Sequence, residues 1–301
     1  MQIMQGKIGI ITVTYNSEHV LEEFFRSLAA QQHQNFMLYL IDNCSRDRTL
    51  EMARQVTNIP LTIIANADNL GVAEGNNQGI RAALDDGCEA LLLLNNDTAF
   101  KPDFLGTLYA GLQEHDADMC TCKMYHYEHP GTLWCAGGSF QPLLGYRIVH
   151  RGTDLPDGED FNKPLRITYT PTCCLLAYRR VFDRIGLMDQ RYFVYYDDVD
   201  FLYRCLRHGL SLWYIPTARL WHKTGSLTEN QAGASDFTVR YCTRNRIYFL
   251  RKSLSFWQAH LWYLIYRTYF AADFLLRRSP RALWKLRENS AREGWNLLRK
   301  T

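Results

Sequence analysis

The sequence predicts an α/β protein built on a mostly parallel sheet, with a helical C-terminal extension. Three observations carry that expectation. Residues 91–97, LLLLNND, form an apolar run too short for helical periodicity and bounded by polar residues, as in a strand buried on both faces of a parallel sheet. Residues 7–14, KIGIITVT, are a second such run, rich in β-branched side chains. Between the two, strand-like and helix-like stretches alternate, the pattern of consecutive βαβ units.

In chain order, the first strand breaks at Tyr15, Asn16 and Ser17. Ser17 can cap a helix whose positions Val20, Leu21, Phe24, Phe25 and Leu28 make one apolar face. A strand at 36–41 ends in Asp42, Asn43 and Cys44, and Ser45 and Asp47 open a second helix. A third strand, 61–65, leads into NADNLGVAEGNNQGI, residues 66–80. Its three glycines are expected to let the backbone approach a ligand, and a helix beginning near Gly71 to offer its N-terminal amides. The fourth strand, 91–95, delivers Asn95, Asn96 and Asp97 to its carboxyl end. Open α/β sheets bind ligands at that edge, and a hard oxygen donor there can hold a divalent cation against a diphosphate. An isolated NND would ordinarily be a turn. Residues 101–115 read as a helix with Pro102 near its start, and 119–125 as a strand; 166–178 and 212–215 regain strand character. The Gly-, Pro- and Asp-containing stretch up to about residue 165 assigns no role to any residue.

A chain of 301 residues with 47% hydrophobic content supports a large core in one domain, or a domain with an appendage. Nine scattered cysteines, without CxxC spacing, fit neither a disulfide framework nor a zinc knuckle. With no signal-peptide pattern at the N-terminus, a reducing, cytoplasmic compartment is expected. The net charge of +3 hides an asymmetry. Residues 240–301 hold 14 Lys or Arg against three acids, a net +11, which leaves −8 on the first 239 residues. An acidic main body argues against nucleic acid as a partner.

Four segments, ITVTYNS at 11–17, IDNCSRD at 41–47, NLGVAEGNNQGI at 69–80 and LLLLNND at 91–97, resemble, in order and spacing, successive motifs of family 2 glycosyltransferases with the GT-A fold. Within that family the chain looks most like bacterial rhamnosyltransferases and related enzymes of surface-polysaccharide assembly. The resemblance implies a Rossmann-like GT-A sheet in a catalytic domain over 1–239, with a nucleotide-binding half to about residue 118 and an acceptor-side half over 119–239. Residues 240–301 are then the extension. It further implies that Thr14, Tyr15 and Asn16 line the nucleotide pocket and that Asp42 holds the base. Asn69, Gly71 and Asn76 lie near ribose and sugar, and Asn95 and Asn96 stand beside Asp97, the metal-binding carboxylate of a DxD-type motif. Asn95 occupies a position where many members have aspartate. The implied cofactor is a divalent metal, Mg or Mn.

A second block spans residues 185–226, from IGLMDQRYFVYYDDVDF to ARLWHKTGS. Asp197, Asp198 and Asp200 crowd the start of a helix whose Val199, Leu202, Tyr203 and Leu206 form a buried face, so the helix dipole is expected to keep the carboxylates ionised. Read alone, DDVD is a helix cap with ion pairs to Arg204 or Arg207. The block resembles the acidic ED motif of the family, which implies Asp198 as catalytic base, Asp197 in place of the usual Glu, and Asp200 as structural. His222 matches a histidine that in relatives approaches metal and diphosphate, and imidazole suits manganese beside a carboxylate. Where the family usually has a small Thr-Gly-Ala-like turn, this chain has Thr172, Cys173 and Cys174.

From Asp236 onward long aromatic helices are expected. Residues 254–276 are long enough to span a bilayer but contain Arg267 and Asp273. Two mid-helix charges cost roughly 5–7 kcal/mol, against about 3–5 returned by the Leu, Ile and Phe residues, so spanning is excluded. Trp257, Trp262, Tyr263, Tyr266 and Tyr269 favour an interface, and Arg277, Arg278, Arg281, Lys285 and Arg287 suit anionic headgroups. The other reading is a helical hairpin docked on its own catalytic domain or on a second subunit, a homodimer.

The expectation is an inverting glycosyltransferase moving a sugar, such as L-rhamnose from dTDP-rhamnose, or a sugar from a UDP donor, to a saccharide or lipid-linked glycan in cell-surface polysaccharide (lipopolysaccharide) synthesis. It would work peripherally at the inner face of the bacterial plasma membrane. Two other classes stay open. A nucleotidyltransferase should carry a Gly-rich loop with a basic residue after the first strand, where this chain has TYNSE. A non-catalytic sugar-nucleotide scaffold needs neither the carboxylate cluster nor a histidine in register.

Overall fold

The leucines of the 91–94 run are all buried, and they divide between two cores: Leu91 and Leu93 join one, Leu92 and Leu94 the other. Ile11 divides from Ile8 and Ile10 in the same way, which is the period of two expected of a strand covered on both faces. The computed structural model describes residues 6–223 and 235–300.

The first half of the chain alternates β1 (Ile8–Thr14), α1 (Glu18–Ala29), β2 (Phe36–Asp42), α2 (Thr49–Gln55), β3 (Leu61–Ala65), α3 (Gly71–Asp85) and β4 (Ala90–Leu94). There follow β5 (Thr98–Phe100), α4 (Phe104–Glu114), β6 (Met119–His126), β7 (Leu133–Cys135), β8 (Gly138–Gln141), β9 (Arg147–His150), β10 (Leu165–Ile167) and β11 (Cys174–Tyr178). The second half is completed by α5 (Arg179–Ile185), α6 (Asp197–Arg207), β12 (Leu212–His222), α7 (Asp236–Ser253), α8 (Phe256–Leu275) and α9 (Arg281–Asn296).

The main sheet runs β10-β12-β6-β11-β4-β1-β2-β3, with β5 on β12 and β7 on β6. All strands of this path except β10 and β11 point the same way. Helices α1, α2 and α4 cover one face through Phe24, Ala53 and Leu108. Helices α3, α5 and α6 cover the other through Ile80, Val181 and Leu202, and α7 adds Tyr248 and Phe249 there.

Three expectations need correction. The strand expected over 166–178 is two strands, β10 and β11, at different places in the sheet. The run at 212–215 is only the start of β12, which continues past Pro216 to His222 with a register shift between Ile215 and Arg219; proline has no amide for the ladder, so the pairing skips it. The two C-proximal glycines of the 66–80 stretch serve packing rather than a ligand. A Cβ on Gly75 would meet Val13 at 2.9 Å and one on Gly79 would meet Ile11 at 2.5 Å, so both let α3 lie close on the sheet. The C-terminal helices begin at Asp236, just ahead of the expected 239/240 division, and the 254–276 stretch is interrupted at Ser255, which caps α8 in a capping box with Gln258. Among the described residues no helix is long and apolar enough to cross a membrane. The end of the second motif block, residues 224–226, lies outside the described residues.

Candidate active site

β1 stands between β2 and β4, so the strand order reverses there and the carboxyl ends of β1 and β4 diverge around a crevice. A cavity of about 130 Å³ lies in it, walled by Asn76, Asn95, Asn96 and Asp97. It adjoins a larger pocket of about 420 Å³ that takes in Tyr169, Asp197, Asp198 and His222; Val72, Asn95 and Thr172 line both. Six residues expected from sequence to serve donor, metal and base thus share one continuous depression.

Asp97 and His222 are 125 positions apart in the chain, yet His222 Nε2 is 3.1 Å from Asp97 Oδ1. The pairing of β12 with β5 produces this, because His222 registers with Thr98 and the Lys223 amide donates to the Asp97 carbonyl at 2.8 Å. His222 is buried against the Trp134 ring, and its Nδ1 has no hydrogen-bond partner among the described residues. A hard carboxylate oxygen beside a buried imidazole suits Mn or Mg when a diphosphate supplies further oxygens. Among the described residues no group of three or more His, Cys, Asp or Glu could hold a metal without such help.

The three aspartates of α6 have separate fates. Asp200 accepts from Arg204 Nε at 2.9 Å and Tyr192 OH at 3.2 Å, and Lys252 Nζ lies 2.7 Å away, so it is a structural ion-pair centre. Asp198 accepts from Tyr169 OH at 2.6 Å and from the Val199 amide at 2.7 Å, while keeping a place in the pocket wall. Asp197 is only 4% exposed beside it. Burial, with the Asp198 charge, pushes the Asp197 carboxyl up to about 7 against the pull of the backbone amides of 197 and 198. Burial also raises Asp198, opposed by the bonds from Tyr169 and the Val199 amide. The expectation that the helix dipole governs these carboxyls is therefore corrected: both are raised above the ordinary carboxylate range. A helix end contributes about 0.3–1 kcal/mol, whereas moving a carboxyl from 3.8 to about 7 is on the order of 4 kcal/mol. Desolvation of two adjacent like charges wins.

The remaining expected donor-site residues sit outside the walls of both cavities, at the β1–β2 rim and the α3 entrance. Thr14 donates to Asp42 at 2.9 Å, and Ser45 donates to the same carboxylate through its hydroxyl and amide. Tyr15 is exposed, and Asn16, at φ 50°, accepts from the Arg46 amide at 2.8 Å. Asn69 accepts from the Gly71 amide at 2.9 Å, and the Val72 amide donates to the Phe193 carbonyl at 2.6 Å, so the first two amides of α3 are already engaged. Gly71 itself, at φ 83°, needs its lack of a side chain because a Cβ would meet the Phe193 carbonyl at 2.5 Å. Asn96 is buried and donates to the Val13 carbonyl at 2.7 Å, tying β4 to β1.

Sequence reasoning missed Tyr169, His150 and Trp134. The His150 ring meets Tyr169 edge-on at 5.5 Å, and burial lowers its pKa. The alternation in RITY, with Ile167 and Tyr169 both buried, was the local signal for Tyr169; nothing local pointed to the other two.

Residues 9–186 match the family model described as Glycosyl transferase family 2. The chain belongs to this family. Among family relatives, it is 22% identical over 257 residues to dTDP-rhamnosyl transferase RfbF of Shigella flexneri, covering 83% of this chain and 82% of that protein. It is 24% identical over 313 residues to the N-acetylglucosaminyl-diphospho-decaprenol L-rhamnosyltransferase of Mycobacterium tuberculosis, covering 95% and 99%. In fold it is similar to S. aureus TarS 1–349 in complex with UDP (TM-score 0.56, 16% identity, covering 98% of this chain and 91% of that one). It is also similar to GalNAc-T7 with UDP, GalNAc and Mn2+ (TM-score 0.68, 14% identity, covering 95% and 54%). The protein is a glycosyltransferase of family 2 with a GT-A fold.

Proposed function

We propose that the protein transfers L-rhamnose from dTDP-rhamnose, with inversion, to a saccharide or lipid-linked glycan acceptor of cell-surface polysaccharide. The observation that carries this reading is that Asp198 shares one pocket with Asn95 and His222 and that this pocket opens onto the crevice at Asp97. A base and a diphosphate-holding edge thus face the same space. The two rhamnosyltransferase relatives, aligned over most of their length, favour the sugar.

In this mechanism Asp198 accepts the proton of the acceptor hydroxyl as its oxygen bonds to the anomeric carbon. The bond from that carbon to the diphosphate breaks on the opposite face and leaves its electrons on the nucleotide. Tyr169 and the Val199 amide hold the Asp198 carboxylate in place. Asp97 and His222 would hold the divalent metal, which when bound offsets charge growing on the leaving diphosphate. Thr14, Tyr15, Asn16 and Asp42 form the rim assigned to the nucleotide base, with Asn69, Gly71 and Asn76 toward ribose and sugar.

We also propose a peripheral place on the inner face of the plasma membrane. Leu275, Leu276, Arg277, Arg278, Arg281 and Lys285 are all exposed at or beside the turn from α8 to α9, two apolar side chains followed in the chain by four cations.

The test is incubation of the purified protein with dTDP-rhamnose and with UDP-sugars, reading thermal shift and then transfer to a lipid-diphosphate acceptor, with the anomeric configuration of the product assigned by NMR. A matched donor at a hundred times its Kd stabilises by about 2.7 kcal/mol. Stabilisation and turnover with a UDP-sugar but not dTDP-rhamnose would transfer the assignment to that donor. A retained anomeric configuration would overturn the mechanism.

A further inference from the structure

The loop that carries the acidic pair is held in a costly backbone conformation. Phe193, Tyr195 and Tyr196, all bulky, have φ of 64°, 61° and 68°, directly ahead of Asp197 and Asp198. Non-glycine residues are seldom found in this region and persist only where their surroundings over-determine them. The surroundings here are two adjacent side chains of α7. Asn245 Nδ2 lies 2.9, 2.7 and 2.8 Å from the carbonyls of Tyr192, Val194 and Tyr195. Arg244 Nη2 donates to the carbonyls of Arg191 and Tyr192 at 2.6 and 2.8 Å. The remaining carbonyl, of Phe193, takes the Val72 amide at the entrance of the crevice. Five consecutive carbonyls are thereby satisfied from outside the loop.

The orientation of the amide is itself specified. Arg244 Nε donates to Asn245 Oδ1 at 2.8 Å, which requires that atom to be the oxygen and turns the NH2 group toward the loop. Asn245 is 0% exposed, so water does not compete for it. The same loop supplies Val194, Tyr195 and Tyr196 to the pocket that holds Asp198.

We propose that Asn245, oriented by Arg244, is a positioning residue for the transfer reaction: it fixes the 191–196 loop so that Asp198 faces the acceptor. This makes α7 part of the catalytic apparatus, and it rests on the reading of Asp198 as base. Replacing the NH2 group releases the Val194 and Tyr195 carbonyls, Tyr192 keeping its Arg244 donor, and lets the strained residues relax, displacing Asp198 while leaving Asp97, His222 and the β1–β4 crevice in place.

The experiment is a double-mutant cycle on the full chain, with Asn245→Ala, Asp198→Asn and both together, following kcat, donor KM and donor Kd. We expect kcat to fall about 10- to 100-fold in Asn245→Ala, the scale of a misplaced catalytic group, with donor Kd changed less than threefold. The double variant should be no slower than Asp198→Asn alone, because Asn245 acts through Asp198. If the two losses multiply, or if a folded Asn245→Ala keeps wild-type kcat while Asp198→Asn is inactive, the positioning role is overturned and the base is not. If Asp198→Asn keeps its activity, it is the base reading that fails. Should Asn245→Ala not fold, Arg244→Lys, which keeps the charge but loses the planar donor pair that turns the amide, carries the same comparison.

Discussion

At the scale of single residues, the proposed mechanism divides labour between two carboxylates far apart in sequence. Asp198→Asn keeps shape and hydrogen bonding but removes proton acceptance, so transfer should fall by about two to four orders of magnitude with donor affinity preserved. Near-normal transfer would move the base to Asp197. Asp97→Ala should abolish the metal-dependent part of nucleotide-diphosphate binding in calorimetric titration while the melting temperature stays close to wild type; unchanged metal-dependent binding would remove Asp97 from the metal site. The elevated carboxyl of Asp197 fixes a pH dependence with a definite sign. A base must be ionised and burial raises the Asp198 carboxyl, so kcat should rise with pH until that carboxyl has lost its proton and then level off, whereas the proton on Asp197 governs stability. Stability runs the other way. The folded protein binds this proton more tightly than the unfolded chain does, so the contribution is present at low pH and is lost between about 4 and about 7. Asp197→Asn should therefore melt higher than wild type at pH 8, and the difference should shrink toward pH 4. A gap independent of pH would show that Asp197 titrates normally.

At the scale of elements, the contact between α3 and the α6 loop joins the two halves of the site. Gly71 lets the start of α3 touch Phe193, and the Val72 amide bonds its carbonyl. Gly71→Ala meets both a left-handed backbone and the Phe193 carbonyl, so a loss on the order of 1–3 kcal/mol is expected. That amounts to several degrees in melting temperature, accompanied by reduced transfer; wild-type behaviour in both would mean that the two elements separate freely. Strand β12 has a similar linking role. Its first part was legible as LWYI, but Pro216 hid the rest, and His222 reaches Asp97 only because the strand resumes on β5. Helix α7 was read as the beginning of a basic arm, yet Arg244, Asn245 and Arg246 are buried and Lys252 sits between Asp189 and Asp200.

At the scale of the whole molecule, the basic surplus of residues 240–301 is not one surface. Arg244 pairs with Glu293, Arg267 with Glu288 and Arg287 with Asp273, while Trp262, Tyr263 and Tyr266 pack among α7, α8 and α9. What stays outward includes the α8–α9 turn, Arg240 and Arg292, and on α8 Leu261, Leu264, Tyr269 and Trp257, the last 80% exposed. Each basic residue near an anionic surface contributes about 1 kcal/mol. Changing Arg277, Arg278, Arg281 and Lys285 together to Ala should therefore abolish sedimentation with anionic vesicles and leave transfer to a water-soluble acceptor intact. Wild-type binding should weaken as salt is raised. A wild-type protein that ignores anionic vesicles would remove the membrane from the account. Deleting the whole arm would not test this, since it also removes Arg244 and Asn245.

The sequence by itself determined the strands and their order, because a strand saturated with leucine or isoleucine has no stable place except a sheet covered on both faces, and the polar residues that end it must then emerge at one edge. That reasoning put Asp97 at the carboxyl edge of β4, where the structure has it, and the family motifs singled out Asp198 as the candidate base. Only the tertiary structure decided that His222 lies against Asp97, that Tyr169 holds Asp198, that burial raises the Asp197 carboxyl and that α7 restrains the loop beside it. These depend on pairing between distant segments and on the summed burial around each charge. A local pattern reports which side of an element faces inward, but it carries no term for what the rest of the chain places there.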